Sequence, residues 1–127
     1  MNHAKIIVLT IFLTACASSP QPVTPMMDIS SEQDTRRATS SLLAKVDIQE
    51  GAQNWERAAA LLERALRIEP RSAQLWHRLA QVRLQQGQYQ LAANLAQKSN
   101  ALAGGNVQLR EKNNRLLKQA QALAKEG

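Results

Sequence analysis

Apolar residues recur every three or four positions along most of this chain, and the pattern overlays itself at a shift of 34 residues. Leu42 falls on Trp76, Val46 on Ala80, Trp55 on Tyr89, Ala58 on Ala92 and Leu62 on Ala96. The short spacing lines up one side of a helix, and a fixed period of this length is the mark of stacked helical hairpins. Five helices are predicted. The first runs from Ser31 to Glu50, opened by Ser30 and Gln33 at capping-box spacing, with Ala38, Leu42, Val46 and Gln49 inward and Gly51 ending it. Asn54 caps the second, whose inward positions are Trp55, Ala58, Ala59, Leu62, Ala65 and Leu66, and Pro70 closes it. Ser72 caps the third, which carries Leu75, Trp76, Leu79, Ala80 and Val82 and stops at Gly87, where a left-handed residue is needed. The fourth, Gln88 to about Ala103, is apolar on two sides, with Tyr89, Ala92, Ala93 and Ala96 on one and Leu91, Leu95 and Leu102 on the other. Such a helix must be covered twice. After a Gly104-Gly105-Asn106 turn, a fifth helix from Val107 to Lys125 supplies that cover through Leu109, Leu116, Ala120 and Leu123. Two hairpins alone would leave an apolar end, and a polar-backed last helix caps it. Trp55, Trp76 and Tyr89 are expected in the core.

The chain ahead of the helices has a different character. Met1 to Lys5 is a short basic start, and Ile6 to Leu13 is apolar but for one Thr. At about 1.5 Å per residue this run is too short for a hydrocarbon core of about 30 Å, and it reads as the apolar region of a signal peptide. The following Leu13-Thr14-Ala15-Cys16 resembles the lipobox of bacterial lipoproteins. That resemblance implies cleavage after residue 15 and acylation of Cys16, which would hold the protein on a membrane. Ala17 and Ser18 stand where inner-membrane lipoproteins commonly carry Asp, which implies the periplasmic face of the outer membrane. Residues 16–30 hold three of the four prolines and form the expected tether, leaving 31–127 as the folded domain.

Aromatic residues make up 3% of the 127-residue chain, and beyond the apolar N-terminal run it lacks the β-branched runs a sheet would need, so the composition favours an all-α domain. A single Cys excludes an internal disulfide. The net charge of +6 is uneven: from Arg71 onward nine Lys or Arg face two Glu, whereas between Cys16 and Pro70 six face eight acidic residues. The C-terminal half is the basic end, which suits either a solvated helix face or an acidic partner. Catalysis needs converging groups, and His3 lies in the signal peptide while His77 stands alone on a helix surface. No catalytic residue, metal site or cofactor is assigned, no phosphate loop follows Gly104-Gly105, and no nucleic-acid partner is expected.

The repeat itself, Trp76-x-x-Leu79-Ala80 with Gly87-x-Tyr89-x-x-Ala92-x-x-x-Ala96, and Ala58-x-x-x-Leu62-x-x-Ala65-Leu66-x-x-x-Pro70 before it, resembles the tetratricopeptide repeat. It departs from that family at Gln53, where the first turn usually has Gly, at Arg83, often aromatic, and at Ala96, often large. The resemblance implies two such hairpins plus a C-terminal capping helix, with a concave groove lined by the first helix of each hairpin. Carried over, that register places Leu43, Asp47, His77, Gln81 and Leu84 in the groove, and its continuation into the last helix adds Lys112, Arg115 and Lys118. Asp47 and Gln81 stand where chaperone-binding relatives have the Asn of a carboxylate clamp, which argues against a chaperone adaptor. With Ala65-Leu66-Arg67-Ile68-Glu69-Pro70 and Trp76-His77-Arg78-Leu79-Ala80 behind a lipobox and a proline-rich tether, the chain resembles the tetratricopeptide-containing outer-membrane lipoproteins that activate a class A penicillin-binding protein. This implies a monomeric, non-catalytic binder of a peptidoglycan synthase; the alternative is a pilotin or a scaffold for another envelope complex.

Overall fold

The computed structural model describes residues 29–126. The apolar run, Cys16 and the proline-rich stretch lie outside the described residues. The described chain is all-α: α1 (Ile29–Gly51), α2 (Trp55–Ile68), α3 (Ala73–Gln85), α4 (Tyr89–Leu102) and α5 (Val107–Glu126). Each helix packs on its neighbours in the chain, and α3 also touches α5, so two hairpins are stacked and closed by a last helix. None of the described helices is long and apolar enough to cross a membrane.

Local sequence signals account for the helix ends. The Asn54 side chain accepts from the Arg57 amide at 3.4 Å, that of Ser72 from Leu75 at 3.4 Å and that of Asn106 from Leu109 at 3.0 Å, each satisfying a free amide of a first turn. Both hairpin turns close in the same way. Asn54 donates to the Gln49 carbonyl and Gln53 to that of Glu50, and 34 residues on Gln88 donates to Arg83 and Gly87 to Leu84. This double closure requires a left-handed residue just past the helix, and it is Gln53 at φ 55° in the first turn and Gly87 at φ 73° in the second. The opening of α1 differs from the capping-box expectation: the helix starts at Ile29, so Ser30 lies within it.

The core has three parts. Leu42 and Val46 of α1 meet Leu62 and Leu66 of α2 and Leu75, Leu79 and Val82 of α3. Full burial of one such aliphatic side chain stabilises by about 1.5–3 kcal/mol. Further along, Ala80, Ala92, Ala93 and Ala96 pack against Leu116 and Ala120 of α5. Ala73, Ala103 and Leu109, with Leu102, close the far end.

Several side chains sit elsewhere than their periodicity suggests. Ala38 is exposed, and Thr39 takes the buried position one turn before Leu42, because the inward line of α1 is displaced by one residue there. Trp55 and Trp76 are half-buried and pack against the main core from its edge, and Tyr89 is half-buried outside it. Trp76 shows why: its indole N–H donates to the Pro70 carbonyl at 2.8 Å, holding the polar edge at the α2–α3 turn. On α4 it is the alanine side that α5 covers, while Leu91 remains 41% exposed. Methyl-sized side chains allow two helices to approach closely, so α5 seats where α4 is smallest, and this is what fills the space left by Ala96. Arg83, where an aromatic is usual, reaches back to ion-pair with Glu63 of α2 and bonds Gln86 at 3.0 Å.

Candidate functional site

Between α3 and α5 lies a groove of about 630 Å³ lined by His77, Gln81, Leu84 and Gln85 on one wall and Lys112, Arg115, Leu116 and Gln119 on the other. The walls are set by helix geometry. Positions 77, 81 and 84 recur at i, i+4, i+7 on α3, and 112, 115, 116 and 119 share one side of α5. Leu116 is buried at the junction and Leu84 packs against it, whereas Gln81, Lys112 and Arg115 are exposed. Among the described residues no carboxylate lines this groove, so its two cations act on whatever enters it without a counter-charge from these walls.

One wall is fixed by a buried polar relay. Asn113 is fully buried on α5, and its amide donates to the Ser99 hydroxyl at 2.8 Å and to the Asn100 side-chain oxygen at 2.9 Å. Ser99, also fully buried, donates to the Ala73 carbonyl at 2.7 Å. Both amide hydrogens of Asn113 are thereby used, so its Oδ1 accepts, and the His77 ring 2.6 Å away donates from Nδ1. Chained hydrogen bonds of this kind tie α3, α4 and α5 into one arrangement and leave no member unsatisfied. Burial pushes the His77 pKa below its ordinary 6.5; the Asn113 hydrogen bond opposes that shift and Lys112 adds to it. At neutral pH His77 is therefore an uncharged ring anchored in the wall, half-buried rather than the lone surface residue expected from sequence.

The other predicted groove residues divide. Leu43 is half-buried and packs against the main core. Asp47 ion-pairs with Arg78, whose guanidinium also bonds Glu50 at 2.8 and 3.1 Å. The Glu50 hydrogen bonds first, and then Asp47, hold Arg78 even more firmly protonated than usual. Asp47 and Leu43 thus lie along α1, outside the α3–α5 groove. Lys118 is exposed but does not line it either, because each three-residue step turns back by about 60° and the third cation has rotated away. Cys16 lies outside the described residues. Asn113 and Ser99 are not among the residues that the repeat register places in the groove. Their signal is a polar residue on an apolar line, Asn113 within Leu109-Leu116-Ala120 and Ser99 within Ala92-Ala96-Ala103.

Two stacked hairpins closed by a capping helix define a tetratricopeptide-repeat protein-interaction domain. The tetratricopeptide repeat family matches residues 48–110. The globular C-terminal domain of LpoP from P. aeruginosa shares the fold at a TM-score of 0.67 with 37% sequence identity, over 68% of this chain and 82% of that one. The chain belongs to the LpoP family of tetratricopeptide-containing proteins. No curated protein matches.

Proposed function

We propose that this protein is a lipoprotein, anchored through Cys16 at the periplasmic face of the outer membrane, whose repeat domain binds and activates a class A penicillin-binding protein. Membership of the LpoP family supports the reading, and the observation on this chain that carries it is the basic, carboxylate-free groove between α3 and α5. A pair of exposed cations with no internal partner steers an acidic surface into register and makes association salt-dependent. The domain then acts by holding a conformation of its partner, without chemistry of its own.

Purified class A synthases, with glycan polymerisation followed in the presence and absence of the protein, provide the test. One synthase should respond, and Lys112→Glu with Arg115→Glu should lower binding and stimulation by about tenfold while stability stays within about 0.5 kcal/mol. If no synthase responds, activation is refuted and assembly of another envelope complex becomes the better account. Equal stimulation by the charge-reversed protein would mean that the partner uses another face. The anchor is tested separately: Cys16→Ser should leave the protein unprocessed or release it from the outer membrane, and a substituted protein still processed and still held there would refute acylation.

A further inference from the structure

A second set of cations gathers on the α1–α2 side of the domain. Lys45 of α1 and Arg57, Arg64 and Arg67 of α2 surround a groove of about 410 Å³ whose apolar lining is Ala60 and Leu61. No carboxylate lines it, and none of the four cations forms an ion pair among the described residues. Five acidic residues of this half of the chain are held by other cations, Glu32 by Arg36, Asp34 by Arg37, Asp47 and Glu50 by Arg78, and Glu63 by Arg83. Arg57, Ala60, Leu61 and Arg64 recur at helical spacing, so the charges run along α2 rather than crowding one end. Arg67 also lines the neighbouring, mainly apolar groove of about 540 Å³ beside Trp76, Leu91 and Leu95, where the one carboxylate among the lining residues, Glu63, is paired with Arg83. Sharing Arg67 at their common edge, the two grooves lie side by side as a track across α2.

We infer that this track receives a linear acidic peptide segment of a protein partner, with carboxylates on the rim cations and aliphatic side chains on Leu61 and beside Trp76. Charge complementarity selects an anion, and an arginine rim suits carboxylates through bidentate bonds. The apolar floor behind the rim selects an anion that also projects apolar groups between its charges, which inorganic phosphate does not. A flat anionic bilayer would meet the rim and leave the recessed floor uncovered, whereas an elongated track that changes from basic to apolar fits alternating side chains of one chain segment. This surface is separate from the α3–α5 groove, so the two fail or succeed independently.

The test uses the full chain in nonionic detergent and a fluorescein-labelled ten-residue peptide of alternating glutamate and leucine, followed by anisotropy. Saturable, salt-sensitive binding is expected, weakened at least tenfold by Arg57→Glu with Arg64→Glu and unchanged by Lys112→Glu with Arg115→Glu. A glutamate–serine peptide should bind at least fivefold more weakly, and a lysine–leucine peptide should not bind. Both substituted arginines are exposed and unpaired, so circular dichroism should be unaltered; should the reversal unfold the protein, Arg57→Gln with Arg64→Gln replaces it, with at least a threefold loss expected. Absence of binding, indifference to these substitutions, or equal binding of the glutamate–serine peptide overturns the inference. Displacement of the peptide by phosphatidylglycerol doped into the micelles, at a concentration where neutral lipid does nothing, would assign the track to a membrane instead.

Discussion

Gln53 holds the position that Gly87 holds one repeat later, and both have a left-handed backbone. A side chain in that region carries a steric cost of about 1–2 kcal/mol that glycine lacks, while glycine loses more freedom on folding, about 0.5–1 kcal/mol. The difference favours glycine. Gln53→Gly should stabilise the domain by about 0.5–1 kcal/mol and raise its melting temperature by a few degrees, measured by circular dichroism or calorimetry. A fall in melting temperature would show that the Gln53 side chain makes up for its backbone. The departure from the repeat consensus was visible in the sequence, as were the caps Asn54 and Ser72, because turn and cap chemistry is local. Asn113 was not. Its value depends on Ser99 and His77, which lie 14 and 36 residues away, and separations of that kind leave no mark on a short-range pattern.

At the scale of whole helices, number, order and limits were legible to within two residues, since 3.6-residue periodicity fixes a helix regardless of what it packs on. What covers each side was not. The two apolar sides of α4 look equally in need of a partner, but the periodicity says nothing about how near one can come. The alanine side takes α5, and the leucine side is shared between the main core, through Leu95, and an open groove beside Leu91. Ending the chain after Gly105 should therefore uncover Ala80, Ala92, Ala93 and Ala96 and remove Asn113 from Ser99, rather than expose Leu91. Loss of the last helix of a repeat stack removes its solubilising cap, so the shortened protein should lose cooperative melting or associate, read by calorimetry and sedimentation. An unchanged, sharp transition would mean that α1–α4 are self-sufficient.

Across the whole molecule, the fold turns a charge distribution read by halves into one organised by surfaces. The half up to Pro70 is acidic in sum, yet five of its acids are drawn toward Arg36, Arg37, Arg78 and Arg83, leaving the groove between α1 and α2 basic. Arg78 is the most consequential of these, since it bridges from α3 to Asp47 and Glu50 of α1. By the 34-residue register Asp47 is the counterpart of Gln81, which lines the α3–α5 groove, so both belong to the same side of the stack. Arg78 thus neutralises the acidic end of a surface whose other end is made basic by Lys112 and Arg115. Arg78→Met should keep the aliphatic packing and strand two carboxylates, one of them, on Glu50, only 27% exposed. Partial exposure screens the loss, so the expected cost is about 1–2 kcal/mol rather than the larger penalty of a fully buried pair. The same change leaves uncompensated negative charge beside the groove, and association with an acidic partner should slow by severalfold at low salt and recover as salt is raised. Urea unfolding and association rates over a salt series measure the two effects on one protein. Reversal of Lys112 and Arg115 should alter association alone, so a stability loss without a kinetic one in Arg78→Met would confine the partner to the α5 end of the surface.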